Sequence, residues 1–263
     1  MQLDKLLQSQ GFGTRKQCQI LIHRGHIRVD GIVIRDHKFR CNTPNFEFSV
    51  DGDEFQYREK VYIALNKPQG YECSHQTQHH HSVFELLPEY LILRNVQSIG
   101  RLDQDTTGLL LLTDDGQYLH RLTHPKKHVL KYYQIHTAEP LSTDAIAQLQ
   151  NGVALHNEQG VFQAFNLEKI AEQHYRFAIS QGVYHQVKRM IAAVGNHVEA
   201  LHRDQIGELG LADSDSDEAN LDGLKRDGLN GLKLGLGEWC YLNEAEYHAA
   251  TIQVTAAKDN TTS

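Results

Sequence analysis

The chain has 263 residues, four cysteines and a formal net charge of −7 at pH 7. That length leaves room for one large domain and a smaller one, each burying a core. No stretch is apolar for long enough to span a bilayer, and Met1–Lys5 lacks the basic patch and apolar run of a secretory signal, so a soluble, cytoplasmic chain is expected. Cys18, Cys41, Cys73 and Cys240 are far apart and include no Cys-x-x-Cys pair, which argues against a zinc module or a disulfide framework. The acidity at first weighs against binding nucleic acid, because affinity for a phosphate backbone comes from Lys and Arg displacing counterions. It is local, however: from Asp204 to Asp222 there are seven acidic residues and no Lys or Arg, matching the whole net charge.

In chain order, Leu3, Leu6 and Leu7 are spaced as on a helix. Gly11 and Gly13 break that pattern, and Thr14 is placed to cap a second helix. This second helix has an apolar face of Cys18, Leu21 and Ile22 and a polar one of Arg15, Gln19 and His23, with Lys16 and Arg24 beside it, and Gly25 ends it. Ile27 and Val29, then Asp30-Gly31, then Ile32 and Ile34 read as a tight hairpin. Asp51 to Lys60 is polar and reads as a linker.

Val61, Ile63 and Leu65 alternate as a strand that ends in the turn Asn66-Lys67-Pro68-Gln69-Gly70. His75 and His79-His80-His81 invite a metal reading, but no carboxylate or Cys stands at ligand spacing, so a solvated loop is expected and no metal. The segment Gly100-Arg101-Leu102-Asp103-Gln104-Asp105-Thr106-Thr107-Gly108 is charged and runs directly into Leu109–Leu112, a run suited to a buried strand. A charged loop fixed by a rigid strand suits a functional site. Its position nominates Asp103 and Asp105 equally. Further on, alternation from Val129 to Ile135 puts Lys131 and Tyr133 on one face and Tyr132 on the other. Val187, Met190, Ile191 and Val194 form a helical stripe with Lys188 beside it and Gly195 as its stop.

Gly100-Arg101-Leu102-Asp103 followed by Thr106-Thr107-Gly108-Leu109-Leu110-Leu111-Leu112-Thr113-Asp114-Asp115-Gly116 resembles the defining motif of the pseudouridine synthases of the small-subunit ribosomal type. The resemblance extends through Asn66–Tyr71, Lys131–Tyr133 and Tyr184–Met190, and residues 14–31 resemble the S4 RNA-binding domain. It implies an α+β protein: an S4-like (alpha-L) domain over residues 1–58, then a catalytic domain over 59–250 built on a mixed, mainly antiparallel sheet with flanking helices. An acidic, Gly-rich insertion at 211–234 departs from the family pattern, and a calcium site there is discounted because its acidic residues lack EF-hand spacing. Residues 251–263 are expected to be a disordered tail.

The resemblance also separates the two aspartates, assigning catalysis to Asp103, uracil stacking to Tyr133 and an ion pair with Asp103 to Lys188. Contacts to RNA are expected from Arg15, Lys16, Arg24 and Arg28 in the S4-like unit, and from Lys67, Arg101, His185 and Arg189 around the catalytic loop. Arg101 is placed to fill the gap left by a flipped uridine. The implied partner is small-subunit ribosomal RNA or an assembly particle, with no cofactor, a monomeric enzyme and a uridine in helix 18 of 16S RNA (uridine 516) as target. A large-subunit target, an S4-type assembly factor without activity and a hydrolytic nucleosidase are the alternatives. The sequence leaves open whether Asp103 attacks C1′, adds to the uracil ring or acts as a base.

Overall fold

The computed structural model describes residues 1–77, 79–124, 129–212 and 231–252. Most of the acidic insertion, including Asp213, Asp215, Asp217, Glu218 and Asp222, and nearly all of the expected tail lie outside the described residues.

The N-terminal unit contains α1 (Leu3–Ser9), α2 (Arg15–Arg24), β1 (Ile27–Val29), β2 (Ile32–Val33), β3 (Glu47–Val50) and β4 (Asp53–Gln56). Thr14 caps α2 through a capping box with Gln17, and Asp30 and Gly31 both have positive φ, as a tight hairpin requires. The strands order as β2-β1-β3-β4, and Leu3, Leu6, Leu7, Cys18, Ile22, Ile27 and Phe48 form the core beneath them. The expected linker is only partly one. Asp53–Gln56 pairs with β3 because Phe55 turns inward to meet Phe48 and Phe12, an alternation that the surrounding acidic residues obscure.

The larger unit follows with β5 (Tyr62–Lys67), β6 (Tyr71–Glu72), β7 (His81–Ser82), α3 (Glu89–Leu93), β8 (Gln97–Ser98), β9 (Thr107–Thr113) and α4 (Gly116–Thr123). Then come β10 (Lys131–Thr137), α5 (Thr143–Asn151), β11 (Phe165–Lys169), β12 (His174–Ile179), α6 (Gln186–Ala193), β13 (Val198–Ile206), β14 (Leu209–Gly210), β15 (Trp239–Tyr241) and α7 (Glu244–Ala249). The main sheet orders as β11-β12-β10-β13-β9-β5-β15 and is antiparallel except where β13 runs parallel to β9. It is thus mixed and mainly antiparallel, with helices packed against it. Leu109 to Leu112 explain its depth: Leu110 and Leu112 enter the core on one face with Ile63 and Leu65, and Leu109 and Leu111 enter the other with Ala64.

Gly108 makes the parallel pairing possible. A Cβ there would stand 2.2 Å from the carbonyl oxygen of Arg203, and its φ of +107° lies in glycine territory.

The two units are docked, not merely tethered. Arg94, just after α3, donates to Asp114 at 2.6 and 2.9 Å, to Gln10 of the N-terminal unit at 3.0 Å, and to the carbonyls of Arg58 and Glu59. Phe12 and Phe55 both pack on the ring of Tyr90. Among the described residues no helix is long and apolar enough to cross a membrane.

Candidate active site

The loop between β8 and β9 is held from two sides before it presents any side chain. Lys67, at the end of β5, is fully buried and its ammonium donates to the carbonyls of Pro68 (3.0 Å), Gln104 (3.4 Å) and Thr106 (2.8 Å). The amide of Gly70 donates to the Gln104 carbonyl, and the Thr106 amide to that of Asp103. From the other side the Leu102 amide donates to the Cys73 sulfur, and the Cys73 thiol donates back to the Leu102 carbonyl. The expectation that Lys67 contacts RNA is therefore corrected. With no exposed surface and its donors spent on backbone carbonyls, it is a buried brace for the loop. Its sequence signal, a Lys before a Pro-Gly turn, is the same for either role.

The turn between α6 and β13 is short, so α6 folds back on β13 and its first turn reaches the loop. His185 precedes the helix with φ +50°, a left-handed conformation uncommon for histidine. Its Nε2 lies 3.3 Å from Asp103 Oδ1, and Tyr184 beside it is exposed and stacked on the imidazole at 3.8 Å between ring centroids. Lys188, one turn on, places Nζ 3.3 Å from Asp103 Oδ2 and 2.6 Å from Asp105 Oδ1. The expected ion pair is thus shared between both aspartates and is tighter to Asp105. Burial alone would raise the Asp105 pKa, but the hydrogen bond and charge of Lys188 outweigh it and hold the carboxyl below its usual value. Burial would likewise depress Lys188, and the two carboxylates reverse that and hold the ammonium above its usual range.

Asp103, Tyr133, His185 and Lys188 share a small cleft of about 80 Å³ with Arg101 and Val183. Arg101 is exposed at its rim. Tyr133, on β10, is largely buried and also lines a larger adjoining cavity of about 610 Å³. Tyr132 points the other way, under the guanidinium of Arg176, which completes a buried pair with Asp204. One of the acidic residues counted in the acidic segment is therefore an internal ion pair.

Two expected RNA contacts differ in detail. Arg189 turns from the cleft and donates to Glu158 at 3.0 Å and to the carbonyls of Tyr184 and His156, so it ties the 156–158 loop to α6. In the N-terminal unit Arg15 donates at 2.8 Å to the buried Asp4, while Lys16, Arg24 and Arg28 lie exposed on α2 and β1.

Arg203, which the sequence reading passed over, is almost fully buried. Its Nε donates to the Leu109 carbonyl at 2.8 Å, its Nη1 donates to the Tyr133 hydroxyl at 3.4 Å, and its Nη2 has no partner among the described residues. Its sequence signal was a cation two residues beyond the buried Leu201 on the same strand.

Residues 61–193 match the family model described as RNA pseudouridylate synthase, and residues 1–45 match the S4 domain. The chain is 42% identical over 212 residues to ribosomal small subunit pseudouridine synthase A of Escherichia coli (strain K12), covering 80% of this chain and 91% of the relative. The protein of the same name from Yersinia pestis is 41% identical over 214 residues, covering 81% and 90%. A solved pseudouridylate synthase superposes with a TM-score of 0.61 at 32% identity, over 95% of this chain and 99% of that one.

Proposed function

The chain belongs to the RNA pseudouridylate synthase family and carries an S4 domain, and from that premise we propose that it isomerises a uridine of small-subunit ribosomal RNA with Asp103 as the catalytic carboxylate. The observation that carries this reading is the setting of Asp103: a partly exposed carboxylate bracketed by Lys188 and His185, in a cleft walled by an aromatic ring. The small-subunit relatives support the substrate class; uridine 516 in helix 18 is the target proposed within it.

The reaction breaks the C1′–N1 bond of uridine and joins C1′ to C5. The C5 proton leaves and N1 gains one, so nothing is oxidised or consumed. A carboxylate suffices for the covalent or acid–base work, provided it stays ionised and correctly aimed. Lys188 supplies the compensating charge, and the Lys67 and Cys73 contacts fix the backbone on either side. Tyr133 gives the detached uracil a flat wall, so that it recombines before diffusing away. Arg101 at the rim occupies the space the uridine leaves when it flips. Lys16, Arg24 and Arg28 of the S4 domain hold the RNA backbone at a fixed offset, because the domains are docked through Arg94.

Carbodiimide mapping of defined 16S RNA fragments and assembly particles, after incubation with the purified protein, tests the reading. A new pseudouridine at one helix-18 position is expected. Modification confined to large-subunit RNA would overturn the substrate assignment, and release of free uracil would replace isomerisation by hydrolysis.

A further inference from the structure

The larger cavity adjoining the cleft has a charge arrangement that the isomerisation at Asp103 does not use. Lys131 and Arg203 both line it, from neighbouring strands β10 and β13, on the same face as Tyr133. Among the described residues the ammonium of Lys131 donates to the carbonyl of Val129, at 3.1 Å, and the charge that acts on it is the like charge of Arg203. Burial, with that like charge, pushes the Lys131 pKa down to about 8. Among the described residues Arg203 keeps one buried nitrogen, Nη2, without a partner. Glu158 is the carboxylate on the cavity wall among the described residues, and it is taken by Arg189. A buried and a half-buried cation side by side, with no free counter-charge among the described residues, are costly, and a bound anion lowers that cost.

We propose that Lys131 and Arg203 form an anion subsite that grips one backbone phosphate of the RNA strand next to the target uridine. The site rests on the reading of the cleft as the place where uridine is isomerised. Its position fits that strand: the cavity opens beside the cleft, shares Arg101, Tyr133 and Val183 with it, and at about 610 Å³ accepts a nucleotide in addition to the uracil. Lys131 presents a point charge and Arg203 its unpartnered Nη2, two cationic donors suited to the oxygens of a phosphodiester. A phosphate held there fixes the flipped strand so that C1′ faces Asp103.

The test uses a target RNA fragment in which each phosphate near the uridine is replaced in turn by a neutral methylphosphonate. The dissociation constant and turnover are measured for the wild type and Lys131→Met, a change that keeps the apolar stem. At one flanking position the neutral linkage should weaken wild-type binding about tenfold while leaving Lys131→Met unaffected. Inorganic phosphate should not relieve the defect of the substituted RNA but should compete weakly with the natural strand. Equal effects on both proteins at every position would overturn the subsite, as would strong saturation by inorganic phosphate alone, which would mark a free-anion site. Binding is read apart from turnover. Loss of coupling with turnover intact therefore sinks the subsite alone, and coupling without turnover sinks the isomerase reading alone. Arg203→Lys, with its fold checked by circular dichroism, should lose coupling at the same position.

Discussion

The Nζ of Lys188 lies between two carboxylates, 2.6 Å from Asp105 Oδ1 and 3.3 Å from Asp103 Oδ2. One cation thus serves two anions of unequal standing, and the two roles separate by substitution. Asp105→Asn should keep isomerisation within about tenfold, since Lys188 remains beside Asp103. Lys188→Met should cost about 10²–10³ in kcat, the scale of losing a preorganised charge. Single-turnover rates on a 16S fragment check this; an Asp105 variant as inactive as the Lys188 variant would move the chemistry to Asp105.

Lys67→Met tests whether this residue braces the loop or touches RNA. Removing the ammonium leaves the carbonyls of Pro68, Gln104 and Thr106 without their donor. The loop loosens, and a misplacement of about 1 Å costs about 10²-fold in rate. The expected signature is a fall in kcat with RNA affinity unchanged. A variant with weakened affinity and normal kcat would restore the RNA-contact role.

The docking of the two domains is measurable as stability. Arg94→Ala leaves Asp114 without its charge partner and removes the bond to Gln10 across the domain boundary. A loss of about 3–5 kcal/mol is expected in urea denaturation, the cost of breaking a buried pair from one side. A loss below about 1 kcal/mol would show that Arg94 does not hold the domains together and leave that role to contacts such as the Phe12, Phe55 and Tyr90 rings.

Lys131 also predicts a pH dependence with a definite sign. Its folded-state pKa is lowered to about 8 from an ordinary 10.5, so the charged form is present below about 8 and lost above it. RNA affinity should fall as pH rises through that value. Folding stability should move the other way, rising between about 8 and 10.5, where the unfolded chain binds the extra proton. Arg203, Arg101, His124 and Glu158 also line the cavity, so the control is Lys131→Arg, whose guanidinium does not titrate. Its affinity should show no bend near pH 8, and a bend that persists there would assign the titration to another group.

Much of this arrangement was legible in the sequence. The Leu109–Leu112 run, the hairpin at Asp30-Gly31 and the stripe through Val187 and Met190 follow from periods that burial enforces. The β4 strand was hidden because a single inward ring, Phe55, decides its face while its acidic neighbours are solvated. Lys67 and Arg203 were misread or missed for a shared reason. A buried cation is identified by the carbonyls around it, and those come from segments distant in sequence. Local spacing likewise placed Asp103 and Asp105 together; the fold distinguishes them, setting His185 against Asp103 and drawing Lys188 closer to Asp105.

The central claim is tested most directly by pseudouridine formation in a 16S RNA fragment with Asp103→Asn, measured beside the variant's affinity for the same RNA. No pseudouridine with affinity within about threefold of wild type is the expected result, because the amide keeps the shape of the side chain but loses the charge that Lys188 faces. Pseudouridine formed at an undiminished rate would contradict it.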